Sequence, residues 1–311
     1  MSITTSASVI ADQETIRSAI RGKFVTAQAS TWRSLRDIAF DWIVVSLVVW
    51  AVYRIGMLIT PLAIVVIGNR QRALGNLLHE ASHQNLSPKR SLNDTIGTAL
   101  LAAPLFNSLP YYRHQHARHH AWLGDLERDP DLIRCTANQG DRWFKTYIRV
   151  LGAYPAWKGS LLGHLTDRHI TFAQSFPIFL WWFWCEVALA VLVGTHIAWL
   201  FPVLWIVARG TAFHALTTFR EMTDHYGLSR CGIFEYTREV PDHGPMSIFL
   251  HPHHNGYHLT HHLFPHIPYY ALPRAHAQLV RIPEFVRRAK ICNAYLRGQR
   301  TSVEGWGARH A

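Results

Sequence analysis

The sequence predicts an all-α integral membrane protein: about four transmembrane helices in two hairpins, plus one further apolar segment that is re-entrant or interfacial. Three observations predict it. Hydrophobic residues make up 49% of the 311 and charged residues only 16%, with 12 tryptophans, a balance that suits a chain partly immersed in lipid. Apolar runs recur at 38–53, 55–68, 92–109, 176–194 and 197–218. Lys and Arg cluster in the polar stretches between these runs, the positive-inside pattern. The mean hydropathy is only +0.02, so a large polar part must sit outside the bilayer.

Residues 1–37 contain no apolar core of the signal-peptide kind and read as a polar N-terminal tail. The runs 38–53 and 55–68 form the first hairpin, turning near Arg54 and Gly56. Crossing ~30 Å of hydrocarbon takes roughly 20 residues, so both runs are short for it unless the second helix continues through Asn69 to Leu78 into polar surroundings. The run 176–218 forms the second hairpin, turning near Gly194 to His196. Residues 38–280 are thus the membrane domain, and 281–311 a basic C-terminal tail.

This arrangement leaves 1–37, 110–175 and 219–311 on one side of the bilayer. Of the 31 Lys and Arg, only Arg54 and Arg209 fall outside those stretches and 70–90. Both termini are therefore expected in the cytoplasm. The net charge of +11 becomes a matter of topology, and a nucleic-acid partner loses its main support. If 92–109 crossed alone, His79 and His116 would face opposite sides. Its Asn, Pro and Gly content permits a segment that does not cross.

The four cysteines, Cys135, Cys185, Cys231 and Cys292, are far apart and suggest neither disulfides nor a thiolate metal site. Histidine, with 21 copies, is the anomaly. Three clusters stand out: HEASH (His79 to His83), HARHH (His116 to His120) and HLTHH (His258 to His262). On a helix, positions i, i+3 and i+4 share a face, so each box aims its imidazoles one way. Chance supplies about one HxxxH pair in such a chain but only ~0.1 HxxHH triplets. Two HxxHH boxes are therefore a signal. Eight box histidines exceed the three or four ligands of a single zinc, so two adjacent metals are implied. Imidazole suits Fe, Cu, Zn and Ni alike.

The remaining histidines read as polar surface or core. His114, His164, His169, His243 and His276 are expected to have no metal role. His251, His253 and His254, in HPHHN, are expected to shape the approach to the third box. Glu80, Asp125, Asp129 and Asp131 stand beside the boxes, where they could fix imidazole tautomers or be solvated charges. Glu186 lies inside an apolar run, where a charge is costly, and no role is assigned to it.

HxxxH, HxxHH and HxxHH, in this order and separated by hydrophobic hairpins, resemble the membrane fatty acid desaturase and hydroxylase superfamily. REMTDHYGL (Arg220 to Leu228) is similar to the region after that family's last hairpin, and GYHLTHHLFPHIPYYALPRAH (Gly256 to His276) to its NxHxxHHLFPxxPxYxLPxxH ending. The resemblance covers about residues 38–280 and implies a cytoplasmic helical cap holding two irons, with O₂ as co-substrate. Carried over by position, the ligands it implies are His79, His83, His116, His119, His120, His225, His258, His261 and His262. Glu221, one turn before His225, Glu80 and Asn255 are implied as neighbours that hold the ligands. Where the family often has asparagine, two residues before the third box, this chain has Gly256, with Asn255 adjacent.

The implied activity is desaturation of an aliphatic chain, first of all a fatty acyl lipid. Hydroxylation, ketolation and desaturation of a small amino-acid-derived metabolite stay open within the superfamily. No cytochrome b5 motif or iron–sulfur cysteine spacing appears, so a separate donor of ferredoxin, rubredoxin or cytochrome b5 type is expected, with membrane lipid as the other partner. The run 92–109 and Trp181, Trp182 and Trp184 are candidates to line an acyl tunnel, though tryptophans there also suit an interfacial belt. Two other readings compete. HEASH satisfies the HExxH signature of an intramembrane zinc protease, which leaves six spaced histidines unexplained. A metal transporter would place its sites at membrane depth, whereas these boxes lie in polar stretches.

Overall fold

The computed structural model describes residues 6–20, 24, 27–134, 137–138 and 140–307. They fold as two compact units, one of 30–112 with 151–218, the other of 1–29, 113–150 and 219–311. Cys135 lies outside the described residues. The structure is helical, and among the described residues the only paired strands are Arg238–Glu239 and Lys290–Ile291, two residues each and parallel.

Among the described residues three helices are long and apolar enough to cross a membrane: Thr31–Ile55 and Phe172–Leu192 in the first unit, and Thr195–His225, whose residues 219–225 belong to the second. The expected turns are where glycine's tolerance of positive φ is needed. Gly56 (φ 104°) ends the first helix and Gly194 (φ 115°) joins the other two. Phe172–Leu192 starts with a capping box, in which Gln174 N donates to Thr171 Oγ1 and Thr171 N to Gln174 Oε1.

The partner expected for the first helix is Thr60–Ser82, which runs unbroken to the first box. It is not among the three because Asn69, Arg70, Gln71 and Arg72 occupy its middle, where all four are buried. Arg70 is paired with Asp41 at 2.8 Å, and Gln71 Nε2 donates to the Trp205 carbonyl at 2.9 Å. A Cβ on Gly68 would meet Phe213 N at 2.6 Å, so the Gly68 backbone packs directly on the π-helical turn Arg209–Phe213.

The apolar run 92–109 does not form one helix. It breaks into Arg90–Ile96, a π-helical Gly97–Ala102 and a 3₁₀ turn Ala103–Leu105, ending at Phe106 with φ 57°. Its irregular backbone is served from inside the unit. Trp205 Nε1 donates to the Pro104 carbonyl (2.9 Å), and the fully buried Asn93 bridges Leu86 N and the Ala81 carbonyl.

The second unit closes around Ile16, Leu123, Phe234, Leu259, Leu263 and Phe285. The stretch read as an N-terminal tail contains the helix Ser6–Ile20, whose Val9, Asp12 and Ile16 are buried in this unit. Asp12 accepts from Ile233 N and pairs with Arg288, each at 2.8 Å. The six-residue helix His258–Leu263 is buried throughout, so the third box sits in the core rather than on a surface.

Candidate metal centre

The helix that begins at Thr195 passes through the π turn and continues as His214–His225. This places His225 at its last residue. The second box lies on the helix Leu109–Ala121 and the third on His258–Leu263.

In the second unit these elements bring ring nitrogens of His119, His225, His258 and His262 within 4.8 Å of one another. His258 Nε2 lies 3.0 Å from both His225 Nε2 and His262 Nε2. A second group holds His116, His120 and His261, with His120 Nε2 3.0 Å from His116 Nε2 and 3.2 Å from His261 Nε2. In the first unit, His79 and His83 stand together at the end of Thr60–Ser82, their rings 5.1 Å apart.

Hydrogen bonding alone does not account for this convergence. A carbonyl cannot donate, so His225 Nδ1–H must donate to the Tyr236 carbonyl (2.8 Å), leaving a lone pair on Nε2. A neutral His258 has at most one proton to share between two facing nitrogens. A cation satisfies all three, and imidazole nitrogens are its donors. Burial, followed by the neighbouring imidazoles, holds His258 and His262 well below the usual histidine range, which keeps their lone pairs free near neutral pH.

Carboxylates surround the groups unequally. Asp129 lies 2.8 Å from His119 Nδ1 and also accepts from Gly124 N (2.7 Å) and Asp131 N (2.9 Å). Burial disfavours the His119 cation, yet the charge and hydrogen bond of Asp129 outweigh it and raise its pKa. Glu80 Oε1 is 3.3 Å from His79 Nδ1, and its Oε2 accepts from Asn85 at 3.1 Å. The exposed Asp131 stands 3.9 Å from both His116 and His119. Asp125 is turned to its own loop, accepting from Glu127 N and Arg128 N. Glu221 is exposed and Asn255 buried.

Several contributors carry no spacing signal. Arg220 pairs with Asp224 at 2.7 Å, reaches His258 Nδ1 at 3.3 Å, and Asp224 is 3.5 Å from His258 Nε2. The fully buried Glu239 accepts from Thr260 N (2.9 Å), Thr260 Oγ1 and His276 Nδ1 (2.7 Å), clamping the third-box helix. His251 is a core residue, bonded to Tyr295 (2.8 Å) and Thr223 (3.2 Å).

This three-box constellation has known counterparts, and residues 55–289 match the fatty acid desaturase family. The chain belongs to that family. Among its relatives, dihydrorhizobitoxine desaturase of Bradyrhizobium elkanii is 29% identical over 272 residues, covering 81% of this chain and 76% of that one. Beta-carotene ketolase of Paracoccus sp. (strain PC1) is 25% identical over 205 residues, 64% of this chain and 71% of its own. The family match includes HEASH, so all three boxes belong to one desaturase-type chain, an oxidoreductase with histidine groups able to hold metal and helices able to cross a membrane.

Proposed function

We propose that the chain is an O₂-dependent di-iron desaturase acting on the aliphatic chain of a lipid. The observation that carries this reading is the pair of converging imidazole groups in a desaturase-family chain. His119, His225, His258 and His262 would hold one iron. His116, His120 and His261 would hold the other, with His79 and His83 completing its ligands. Bound iron would supply what side chains lack, activation of O₂ for attack on an unactivated C–H bond. In the overall balance, O₂ takes two hydrogens from the substrate plus two electrons and two protons from outside, leaving an alkene and two waters.

The residues of the chain orient and insulate. The Tyr236 carbonyl fixes the His225 tautomer and Asp129 that of His119, the usual work of groups behind metal ligands. Glu221, Asn255 and Glu80 are proposed to steady the ligands beside them. The electrons would come from a separate ferredoxin, rubredoxin or cytochrome b5 type carrier. In the proposed topology Thr60–Ser82 is a fourth crossing, 92–109 is re-entrant, and boxes and termini are cytoplasmic, in keeping with the one-sided Lys and Arg.

An apolar groove of about 650 Å³ in the first unit, lined by Trp42, Trp181, Phe201, Ala99 and Leu100 among others, has the size and chemistry of a lipid-chain site. Its lining draws on both the 92–109 run and one of the tryptophans expected there. Two further readings have specific support. The likeness to dihydrorhizobitoxine desaturase favours a substrate akin to that compound, and the likeness to beta-carotene ketolase favours oxygen insertion.

The test is mass spectrometry of lipids and small metabolites from cells expressing the chain or its His119→Ala variant, with iron measured on the purified protein. Loss of two hydrogens from a lipid acyl chain, absent with His119→Ala, is the expected result. Gain of oxygen would shift the reading to ketolase or hydroxylase, and a product indifferent to His119 would sink the site.

A further inference from the structure

Arg238 is buried in the second unit, and its guanidinium is held by carbonyls rather than by a carboxylate. Nη1 donates to the Thr223 and Tyr226 carbonyls (3.3 and 2.9 Å), and Nη2 to that of Glu304. Asp224, itself paired with Arg220, and Glu304 act on it only through space, and burial pulls it down to about 10 from an ordinary 12.5. Its Nε makes no hydrogen bond, yet it is not sealed off as Arg72 Nε and Arg220 Nε are. A buried cation is ordinarily paired, so this one has capacity left for an anion.

Arg238 lines a concavity of about 460 Å³ together with Arg287, Lys290, Arg300 and Glu304. Arg287 is neutralised by Glu284. The remaining three cations face one carboxylate, a surplus of two positive charges. Arg300 is exposed and stands at φ 52°, a conformation that a residue with a Cβ rarely adopts. Its loop is closed by Asn293 N donating to the Arg300 carbonyl (3.2 Å) and Ser302 N to the Ala294 carbonyl (2.9 Å), so an unfavourable backbone conformation is held at the rim of a basic cavity. Leu228, Val286 and Ile291 add an apolar wall. Apolar lining with a few polar groups describes a small-molecule site.

We propose that this concavity binds a phosphate monoester, its phosphate on Arg238 and Arg300 and its organic part against Leu228, Val286 and Ile291. Guanidinium groups suit phosphate oxygens. A monoester carries about 1.5 to 2 negative charges near neutral pH, which matches the surplus, whereas a carboxylate brings one. The cavity is far larger than a phosphate, leaving room for an organic group. The site shares no residue with the imidazole groups and stands whether or not they hold iron.

Isothermal titration calorimetry of hexyl phosphate into the purified full chain in detergent tests the proposal. Saturable binding is expected, tighter than that of inorganic phosphate or hexanoate. Arg300→Gln, at an exposed position, should weaken it roughly tenfold, as loss of a charge-assisted hydrogen bond implies. Glu304→Gln removes the opposing charge and leaves the backbone carbonyl on Arg238, so it should strengthen binding, a direction that damage to the fold would not produce. Absence of saturable binding would overturn the proposal. So would inorganic phosphate or hexanoate binding as tightly, affinity unmoved by Arg300→Gln, or affinity not raised by Glu304→Gln. Titration of the chain in phosphatidylcholine vesicles with and without phosphatidic acid tells two sources apart. Phosphatidic acid competes with hexyl phosphate if a lipid headgroup is the occupant, and leaves its affinity unchanged if a soluble ester is.

Discussion

His119 Nδ1 and Asp129 Oδ1 are 2.8 Å apart, both residues buried, ten positions apart in the chain. Asp129 is itself tied to Gly124 N and Asp131 N, so it is a fixed acceptor rather than a mobile one. Removing such a carboxylate typically weakens a metal site by roughly 10–100-fold. Asp129→Ala should therefore lower affinity at one of the two proposed metal sites, read by competition with a chelator of known affinity. Unchanged affinity at both sites would refute its proposed role.

Glu239 holds the third box from behind. Its carboxylate is buried among Thr260 N, Thr260 Oγ1 and His276 Nδ1. Glu239→Ala strands those donors together, at a cost of about 3 kcal/mol or more. A lowered midpoint in denaturant together with reduced metal content is expected. His276→Ala, which removes one partner only, should show the same direction with a smaller effect.

Gly256 has a packing reason to differ from the family's asparagine. A Cβ there would lie 2.2 Å from the Val240 carbonyl oxygen and 3.1 Å from His251 Cγ, while the Gly256 carbonyl accepts from Val240 N at 2.7 Å. Gly256→Ala must push the backbone just ahead of His258 out of place. A loss of about 1–3 kcal/mol is expected for such overpacking, with metal content falling in parallel. Gly256→Asn should be worse than Gly256→Ala, and thermal unfolding of the two variants ranks them.

Burial pushes the Cys292 thiol up to about 11 from an ordinary 9.0, against the opposing charge of Arg238. Near neutral pH its thiolate is then ~100-fold scarcer than that of the unfolded chain. Iodoacetamide should modify Cys292 in the unfolded protein far faster than in the folded one, with peptide mapping as the readout. The folded thiol keeps its proton to higher pH than the unfolded one. Its contribution to stability is therefore complete below about 9 and is lost as pH rises towards about 11. A Cys292→Ala chain should lack that alkaline component.

The boxes were legible because helical spacing is local: i, i+3 and i+4 can be read from five letters, and the boxes of the second unit do converge. The turns at Gly56 and Gly194 were legible for the same reason. What escaped is set by residues distant in sequence. Glu239 acts through Thr260 and His276, and nothing in its own neighbourhood marks it. Hydropathy ends the second apolar run at 68, and the continuation through Asn69 to Leu78 that a crossing would need is present, the helix running on to Ser82; what hydropathy leaves out is how those polar residues are served. The residues that stop the count, Asn69 to Arg72, are buried and include polar groups satisfied from Asp41 and the Trp205 carbonyl. Asp224 and Arg220 sat inside the quoted REMTDHYGL segment, where an acid directly before His225 was the available clue.

The buried pair of Arg70 and Asp41 yields a further prediction. Arg70 Nη1 lies 2.8 Å from Asp41 Oδ1, with Asp41 wholly buried and Arg70 nearly so. Asn69 Oδ1 also accepts from Arg70 Nε at 3.2 Å, so the cation keeps one neutral partner if Asp41 is removed. Breaking a buried pair from one side leaves an uncompensated charge and costs about 3–5 kcal/mol, whereas replacing both partners by apolar residues is often neutral. Asp41→Leu should therefore lower the yield of folded, metal-bound protein sharply, and Asp41→Leu with Arg70→Leu should restore much of it. If the double variant is as poor as the sum of the two single ones, the pair is not coupled. Its burial would then reflect packing of the two helices rather than their electrostatic complementarity.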